Sequence, residues 1–427
     1  MNTRGRVPFD RVRSLCLALG AIGIALSACS APPAQEPLAD ALHRADSTVQ
    51  AAVDGGLVPG AVLLIAHDGE TLREKAYGFA SLNDFNGRRL ESPELMTTEH
   101  VFDLASLTKV VATTFAVMLL VDRNDVGLDV PVSQYLPDFS GTHRDSVTVR
   151  HLLLHTGGLA PWKPVYYHAS DANSAREFVV SQPLDYAVGR ERHYSDLGFM
   201  LLGYIVEEVS GRRPDVFLTD ELYEPLGLES TAFLPRSREL GPYAATSHGN
   251  PFERRMVADD NFGYVCEEDP ESFTGWRQYT LVGEVNDGNA HHAHQGVAGH
   301  AGLFSTARDL KILLDLLLND GSSGNRQFIA TEIVDEFLTP GESGNGLGWA
   351  ISKRVLGIEG LPPGSFGHTG FTGTYALALP EDRISIVMLT NRQNLGVGLD
   401  TRYNDVNPLR REVARHIVDG LKESQSD

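Results

Sequence analysis

Cysteine is nearly absent: Cys16, Cys29 and Cys266 are the only three in 427 residues. Two of them fall within the first thirty positions, so the body of the chain holds one thiol and cannot close an internal disulfide. No C-x-x-C pair occurs, which removes a dithiol redox centre and a cysteine-ligated zinc site. Positive charge is also short. Lys and Arg total 36 against 56 Asp and Glu, a formal charge of −20. That balance argues against nucleic acid as a partner and against a basic membrane-binding face. No internal repeat and no low-complexity domain is visible. A G-x-S-x-G elbow is missing as well, which sets aside an α/β-hydrolase-type esterase. The apolar run from Leu15 to Leu26 is too short to be a comfortable spanning helix.

That run has a different meaning. Arg4, Arg6, Arg11 and Arg13 precede it and Leu26-Ser27-Ala28-Cys29 closes it, the layout of a secretory signal over residues 1–28. Small residues followed by a cysteine resemble the bacterial lipoprotein processing site. The resemblance implies cleavage before Cys29 and lipid attachment to its thiol. Ser30 at the next position points to the outer membrane. Residues 29–37, rich in Pro and Ala, read as an extended tether. The expectation is an exported protein, lipid-anchored on the periplasmic side. Without the leader, 32 basic and 55 acidic side chains remain, or −23. An acidic, solvated surface is enough to explain that excess. A mature chain of this length can bury a large core without staples.

The fold class reads as α+β. Leu38, Leu42, Ala45, Val49 and Val53 recur at helical spacing. Gly60 to Ala66 is a dense apolar strand, Asp68-Gly69 a turn, and Thr71 to Tyr77 the returning strand. Toward the other end, 347–352, 365–369, 374–379 and 384–390 read as short strands, and a helix runs from about Pro408 to Leu421. The middle is helical over 110–121, 149–154, 197–209, 214–222 and 307–318. Strands therefore come from both ends and helices from between them. The economical arrangement is one antiparallel sheet, built from 38–100 and 330–425 and flanked by its own helices, with an inserted all-helical domain over 101–329. The cleft between the two parts is the expected ligand site. Residues 259–301 read as a long loop of the kind that lines sites.

Three short segments carry chemistry. Ser106-Leu107-Thr108-Lys109 opens an apolar helical stretch and sets a hydroxyl and an amine on one face. Tyr194-Ser195-Asp196 stands just before a second helix, so its phenol can project into the cleft. His368-Thr369-Gly370 lies on an expected strand, followed by Phe371. A hydroxyl nucleophile needs a proton acceptor, and a phenol beside an ammonium is expected to have a lowered pKa. Tyr194 and Lys109 both remain candidates for the base. Gly370 permits a close backbone approach, and the N–H groups of Ser106 and Phe371 are the natural oxyanion donors.

In order and spacing these segments resemble the S-x-x-K, Y-x-N and K-T-G signature of the penicillin-recognising serine enzymes. The tyrosine version is similar to the class C β-lactamase branch, which also holds DD-carboxypeptidases, D-amino-acid peptidases and β-lactamase-like esterases. The segments Phe102–Ala105, Val149–Leu159 and Gly299–Thr306 add to the likeness, which runs from about Leu57 to Asn391. It implies a β-lactamase/transpeptidase-like fold and an acyl-enzyme on Ser106. It also implies proton movement through Tyr194 and Lys109, and substrate contacts from Asp196, His368, Thr369, Gly370 and Phe371. No cofactor is implied. The expected partner is a small molecule or a peptidoglycan-derived peptide.

Two positions depart from the signature. Asp196 replaces Asn, so an acceptor replaces a group that both donates and accepts. His368 replaces Lys, so a ring that is mostly neutral above about pH 6.5 replaces a permanent charge. Both changes argue against efficient β-lactam hydrolysis and for a peptide, amide or ester. They also leave room for a non-catalytic binding protein, against which retention of Ser106, Lys109 and Tyr194 speaks. His151 and His155, one turn apart, and Asp287 with His291, His292 and His294 have the residue types of metal ligands. The first pair reads as a helix end and the second group lacks fixed ligand spacing, so no metal is expected.

Overall fold

The structure, a computed structural model, describes residues 36–341, 343–351 and 357–424. The leader, Cys29 and residues 29–35 lie outside the described residues. Glu36 and Pro37, read above as tether, instead open a helix, Glu36–Asp54. Pro37 is tolerated there because a first-turn N–H has no intrahelical partner to lose. Among the described residues no helix is long and apolar enough to cross a membrane.

A seven-stranded antiparallel sheet forms the frame. Across it the order is Ala350–Ile351, Phe366–Thr369, Tyr375–Leu379, Ile384–Thr390, Gly60–His67, Glu70–Asn83 and Arg89–Leu95. The two ends of the chain meet in mid-sheet, where Ala61 pairs with Thr390 and His67 with Ile384. Gly60–His67 shows no polar alternation because both of its faces are covered. Ala61, Leu63 and Ile65 face a layer made by Glu36–Asp54 and the last helix, Asn407–Ser424, together with Ile386 and Met388. Val62, Leu64 and Ala66 face the opposite core with Val387 and Leu389. A one-residue slip would exchange the two sets, so the register is tightly specified. Truncating Leu63, which is fully buried, to Ala should cost about 2–5 kcal/mol.

Arg89–Leu95 is not legible as a strand, since its sequence, RLESPEL, is charged and holds a proline. It lies at the sheet edge, where charge and proline are the usual features.

The part between the two halves of the sheet is mainly helical. Among the described residues it also carries three small sheets: Phe102–Asp103, Leu303–Ser305 and Ala232–Phe233 in one, Ala245–His248 and Thr280–Val282 in the second, Ser322–Ser323 and Arg326–Gln327 in the third. Helix Ala307–Leu318, placed by sequence in the insert, packs on the large sheet against Gly60–His67 and Ile384–Thr390. Its stripe of Leu310, Leu313, Leu314 and Leu317 is buried, which fits a helix lying on a sheet face.

Candidate active site

The nucleophile turn is built by a buried carboxylate. Asp103 accepts from the Ala105 N–H at 2.8 Å and from the Asn286 N–H at 2.6 Å. Burial pushes its carboxyl up to about 6, with those two N–H groups opposing the rise. Ala105 then sits at φ +46°, a conformation that costs a residue with a Cβ on the order of 1–3 kcal/mol. The surroundings hold it there. Leu104 N–H donates to Leu303 O at 3.0 Å, Thr374 Oγ1 to Leu104 O at 3.0 Å, and Thr372 Oγ1 to Asp103 O at 2.7 Å. A Cβ on Gly370 would come within 2.3 Å of Leu104 O. The glycine therefore serves the packing of the strand end against the nucleophile turn rather than the approach of a ligand. Past Ala105 the chain enters a helix whose first residues, Lys109–Thr114, form a wide π-helical turn before Phe115–Asp122 continues it.

Lys109 is fully buried and donates from Nζ to Ser106 Oγ at 3.2 Å and to His300 O at 3.0 Å. Asp196 Oδ1 stands 2.6 Å from the same nitrogen as an ion pair, without hydrogen-bond geometry. Burial alone would pull the amine down, but Asp196 first and Tyr194 second leave it raised. Lys109 is thus held as an ammonium. Ser106 and Lys109 both act on the Tyr194 phenol to lower its pKa, and Lys109 Nζ lies 5.0 Å from the ring centroid. The lowered phenol expected from sequence is not found. Burial raises the Tyr194 pKa, Lys109 lowers it, Asp196 raises it again, and the sum lies above the ordinary phenol value. At rest the serine therefore faces a neutral phenol and a charged lysine. The Ser195 side chain caps the following helix, Asp196–Ser210, by accepting from the Gly198 N–H.

His368 lines the cleft as a neutral ring. Its Nδ1 lies 2.8 Å from the Thr369 carbonyl, which can only accept, so Nδ1 carries the proton and Nε2 is left as an acceptor. Burial first, then the charge of Lys109, pulls its pKa down to about 3. The permanent charge missing at position 368 is supplied from elsewhere. A cavity of about 380 Å³ is lined by Ser106, His368, Thr369, Gly370 and Phe371 together with Arg192, Arg392 and Arg410. Arg392 donates to Phe371 O at 2.7 Å and Arg410 to Gly370 O at 3.1 Å and Thr374 O at 2.8 Å. Neither has a carboxylate partner among the described residues. Burial, then the neighbouring Arg392, pulls Arg410 down to about 9. The N–H groups of Ser106 and Phe371 have no acceptor among the described residues and remain available to an oxyanion.

The sequence reading missed these arginines. Arg410 nevertheless falls on the buried stripe of its helix, with Val413, Ala414 and Ile417 at helical spacing, and a charge on an apolar stripe is a readable signal. Glu253 was missed for the same reason. It shares a face with Met256 and Val257 on helix Pro251–Ala258, and lines a second cavity of about 170 Å³ on the other side of Ser106.

The histidines divide among separate tasks. His151 caps the helix Val149–Leu153. His155, at φ +58°, accepts from the Ser195 N–H at 3.0 Å and packs its ring 4.4 Å from that of Tyr194. His294 bonds Tyr204 Oη at 2.7 Å, and His291 stands 3.8 Å from Glu284. The Asp287 carboxylate bonds no ring of His291, His292 or His294; it accepts from His300 Nε2 at 2.9 Å, while the Asp287 carbonyl accepts from the His291 N–H at 3.0 Å. Asp196, Asp287 and His300 bring ligand-type atoms within 4.8 Å of one another, and the Lys109 ammonium already stands against that group.

Burial, then the charge of Asp287, pushes Glu253 up to about 8. A folded pKa above the unfolded value means that its stabilising contribution is present below about pH 4.5 and lost as pH rises to 8. Glu253→Gln should therefore melt several degrees above the unchanged protein at pH 8.5, and the two curves should converge near pH 5. Equal melting temperatures at pH 8.5 would show that the carboxyl is not held neutral by its site.

Chemically, the arrangement offers one alcohol next to a fixed cation and a phenol, with two backbone donors across from it. Those parts suit acyl transfer through an alkoxide, and the fold and the site together define a serine hydrolase. The Beta-lactamase family profile matches residues 45–407. Over 375 residues the chain is 34% identical to the N-acetylmuramyl-L-alanine amidase of Bacillus subtilis (strain 168), covering 83% of this chain and 82% of that one. It is 31% identical over 405 residues to a putative D-alanyl-D-alanine carboxypeptidase of Escherichia coli (strain K12), covering 88% and 90%. Among solved structures, a class C beta lactamase from Rhodobacter sphaeroides superposes with a TM-score of 0.64 at 20% identity, covering 89% of this chain and 99% of that one. The chain belongs to the Beta-lactamase family, and its antiparallel sheet with inserted helices is the β-lactamase/transpeptidase fold.

Proposed function

We propose that the protein is an exported hydrolase of cell-wall peptides, acting on an amide bond close to a free carboxylate in the manner of a DD-carboxypeptidase, with weak or no β-lactamase activity. One observation carries this reading. Two guanidiniums, the buried Arg410 and the partly buried Arg392, line the cavity that holds Ser106 and lack counter-carboxylates among the described residues. Desolvated cations of this kind favour an anion, and a carboxylate can take two parallel N–H donors from arginine. The relatives named above act, by their printed names, on N-acetylmuramyl-L-alanine and D-alanyl-D-alanine bonds. Export and attachment through Cys29 rest on the leader sequence and would place the enzyme beside that polymer.

In this reading the substrate carbonyl lies between Ser106 Oγ and the N–H groups of Ser106 and Phe371. Ser106 attacks from the fraction of the enzyme in which Tyr194 has lost its phenolic proton; the serine proton passes to that phenolate beside the Lys109 ammonium, and Tyr194 then returns it to the leaving amine. The tetrahedral oxyanion collapses with departure of the amine, and water releases the acyl group by the reverse path. Asp196 disfavours β-lactams because a carboxylate cannot donate to the side-chain amide carbonyl of the drug.

The test is a substrate panel on the purified domain: a D-Ala-D-Ala peptide, the same peptide as its C-terminal amide, an ester, and a chromogenic cephalosporin. The free-carboxylate peptide should exceed its amide by about tenfold or more in kcat/KM, and the cephalosporin should be slowest. Equal rates on the carboxylate and amide forms would remove the argument from the arginines.

A further inference from the structure

The second cavity opens on the other side of Ser106 and has the opposite polarity. Asp196, Asp287 and Glu253 line it, and Trp162, Phe252, Tyr264 and Phe371 supply aromatic walls. Asp196 and Asp287 both act on the Lys109 ammonium, with His300 beside Asp287 and Glu253 next to them. One oxygen of each aspartate is already engaged. Asp196 Oδ1 meets Lys109 at 2.6 Å. Asp287 Oδ1 accepts from His300 Nε2 at 2.9 Å and from the Ala290 N–H at 2.8 Å. The second oxygen of each makes no hydrogen bond within the described residues, and it is not among the buried polar atoms that lack partners. Both side chains keep partial exposure, 18% for Asp196 and 20% for Asp287. Two open carboxylate oxygens therefore converge beside the nucleophile.

Glu253 stands behind them. It accepts from the Gly288 N–H at 2.9 Å through Oε1, and its Oε2 is buried without a hydrogen-bond partner. A Cβ on Gly288 would lie 2.1 Å from that oxygen, so the glycine is what admits the carboxyl to this place. Asp196 and Asp287 bring carboxylate oxygens into one group within 4.8 Å, and like charges held so close carry a cost. A second cation in the cavity would relieve the repulsion, and the aromatic walls would add to its binding.

We propose that this cavity is a recognition site for a primary ammonium group of the substrate, bound by Asp287 and Asp196 with Glu253 in support, a few bonds from the scissile carbonyl. The proposal rests on the hydrolase reading above and sharpens it. The substrate spans two cavities of opposite charge, with its carboxylate against Arg392 and Arg410 and its ammonium against the aspartates. An amino-acyl or diamino-acid unit next to the cleaved bond has that pattern. A neutral acyl chain does not.

The experiment compares two peptides with the same scissile bond and the same free carboxylate, one with a free amine on the residue beside that bond and one with the amine acetylated. The wild-type protein should prefer the free amine by about tenfold or more in kcat/KM, the scale of one charge-assisted hydrogen bond. In Asp287→Asn the ratio should fall below about threefold, chiefly through KM, and Glu253→Gln should lower it by a smaller factor. A wild-type ratio near one overturns the proposal whether or not either variant folds. So does a ratio that survives both substitutions in folded protein. Covalent labelling of Ser106 by a fluorophosphonate is followed in parallel. Labelling with no amine preference removes the ammonium site alone, whereas loss of labelling removes the hydrolase reading itself.

Discussion

Ser106→Ala is expected to abolish covalent labelling by a fluorophosphonate probe and to lower turnover by on the order of 10⁴-fold or more. The expectation follows from how the hydroxyl is held. Ala105 at φ +46° is a strained conformation in the backbone immediately before it, and the strain is retained by bonds from Leu303, Thr372 and Thr374. Structure stored in this way presents one side chain at a fixed point, and here that point is 3.2 Å from an ammonium. Tyr194→Phe is the companion test. It keeps the ring that packs 4.4 Å from His155 and deletes only the phenolic oxygen that Ser106 and Lys109 act on. Turnover should fall by about 10²–10³ with KM little changed, the range of general acid–base assistance. Labelling of the Ser106→Ala protein at the wild-type rate would show that the nucleophile lies elsewhere. A Tyr194→Phe protein with full turnover would leave the relay without its phenol.

The frame was readable because its residues obey one period at a time. Gly60–His67 and Ile384–Thr390 are continuous apolar runs, and such runs belong to strands covered on both faces. Ser106, Lys109 and Tyr194 were readable as candidates, the first two because they are three residues apart and the helix itself brings them together. What the sequence hid is long-range. Arg410 meets Gly370 across 40 residues, and Asp103 meets Asn286 across 183. No local spacing encodes such pairs; each is visible only as a charge on an apolar stripe or before a turn. The charge lost at His368 illustrates the consequence. By its sequence pattern the site has no permanent cation at position 368, whereas the fold brings Arg410 to the same cavity from another helix. The Tyr194 shift runs opposite to the expectation for a related reason. Proximity of Lys109 to the phenol is visible in the pattern, but not the burial that outweighs it.

Asp196→Asn should move the ascending limb of the pH–rate profile down by about one unit or more, and raise kcat/KM at pH 7.5 about tenfold. The sign follows from the two partners of the carboxylate. Asp196 raises the Lys109 amine against the lowering effect of burial, and it raises the Tyr194 phenol against the lowering effect of Lys109. Removing its charge lowers both values. Whichever of the two groups then sheds its proton first, an acceptor for the Ser106 proton becomes populated at lower pH. Below that pKa, each unit of descent gives ten times more of the active form at a fixed pH. The measurement uses the N-acetylated peptide, so that loss of an ammonium contact does not enter. The neutral amide of Asn also regains a donor toward a substrate carbonyl, which should shorten the acylation time with penicillin in the same variant. An ascending limb that stays in place, or moves upward, would mean that the 2.6 Å pair between Asp196 and Lys109 does not govern the base, and that the proton of Ser106 leaves by a route that avoids both.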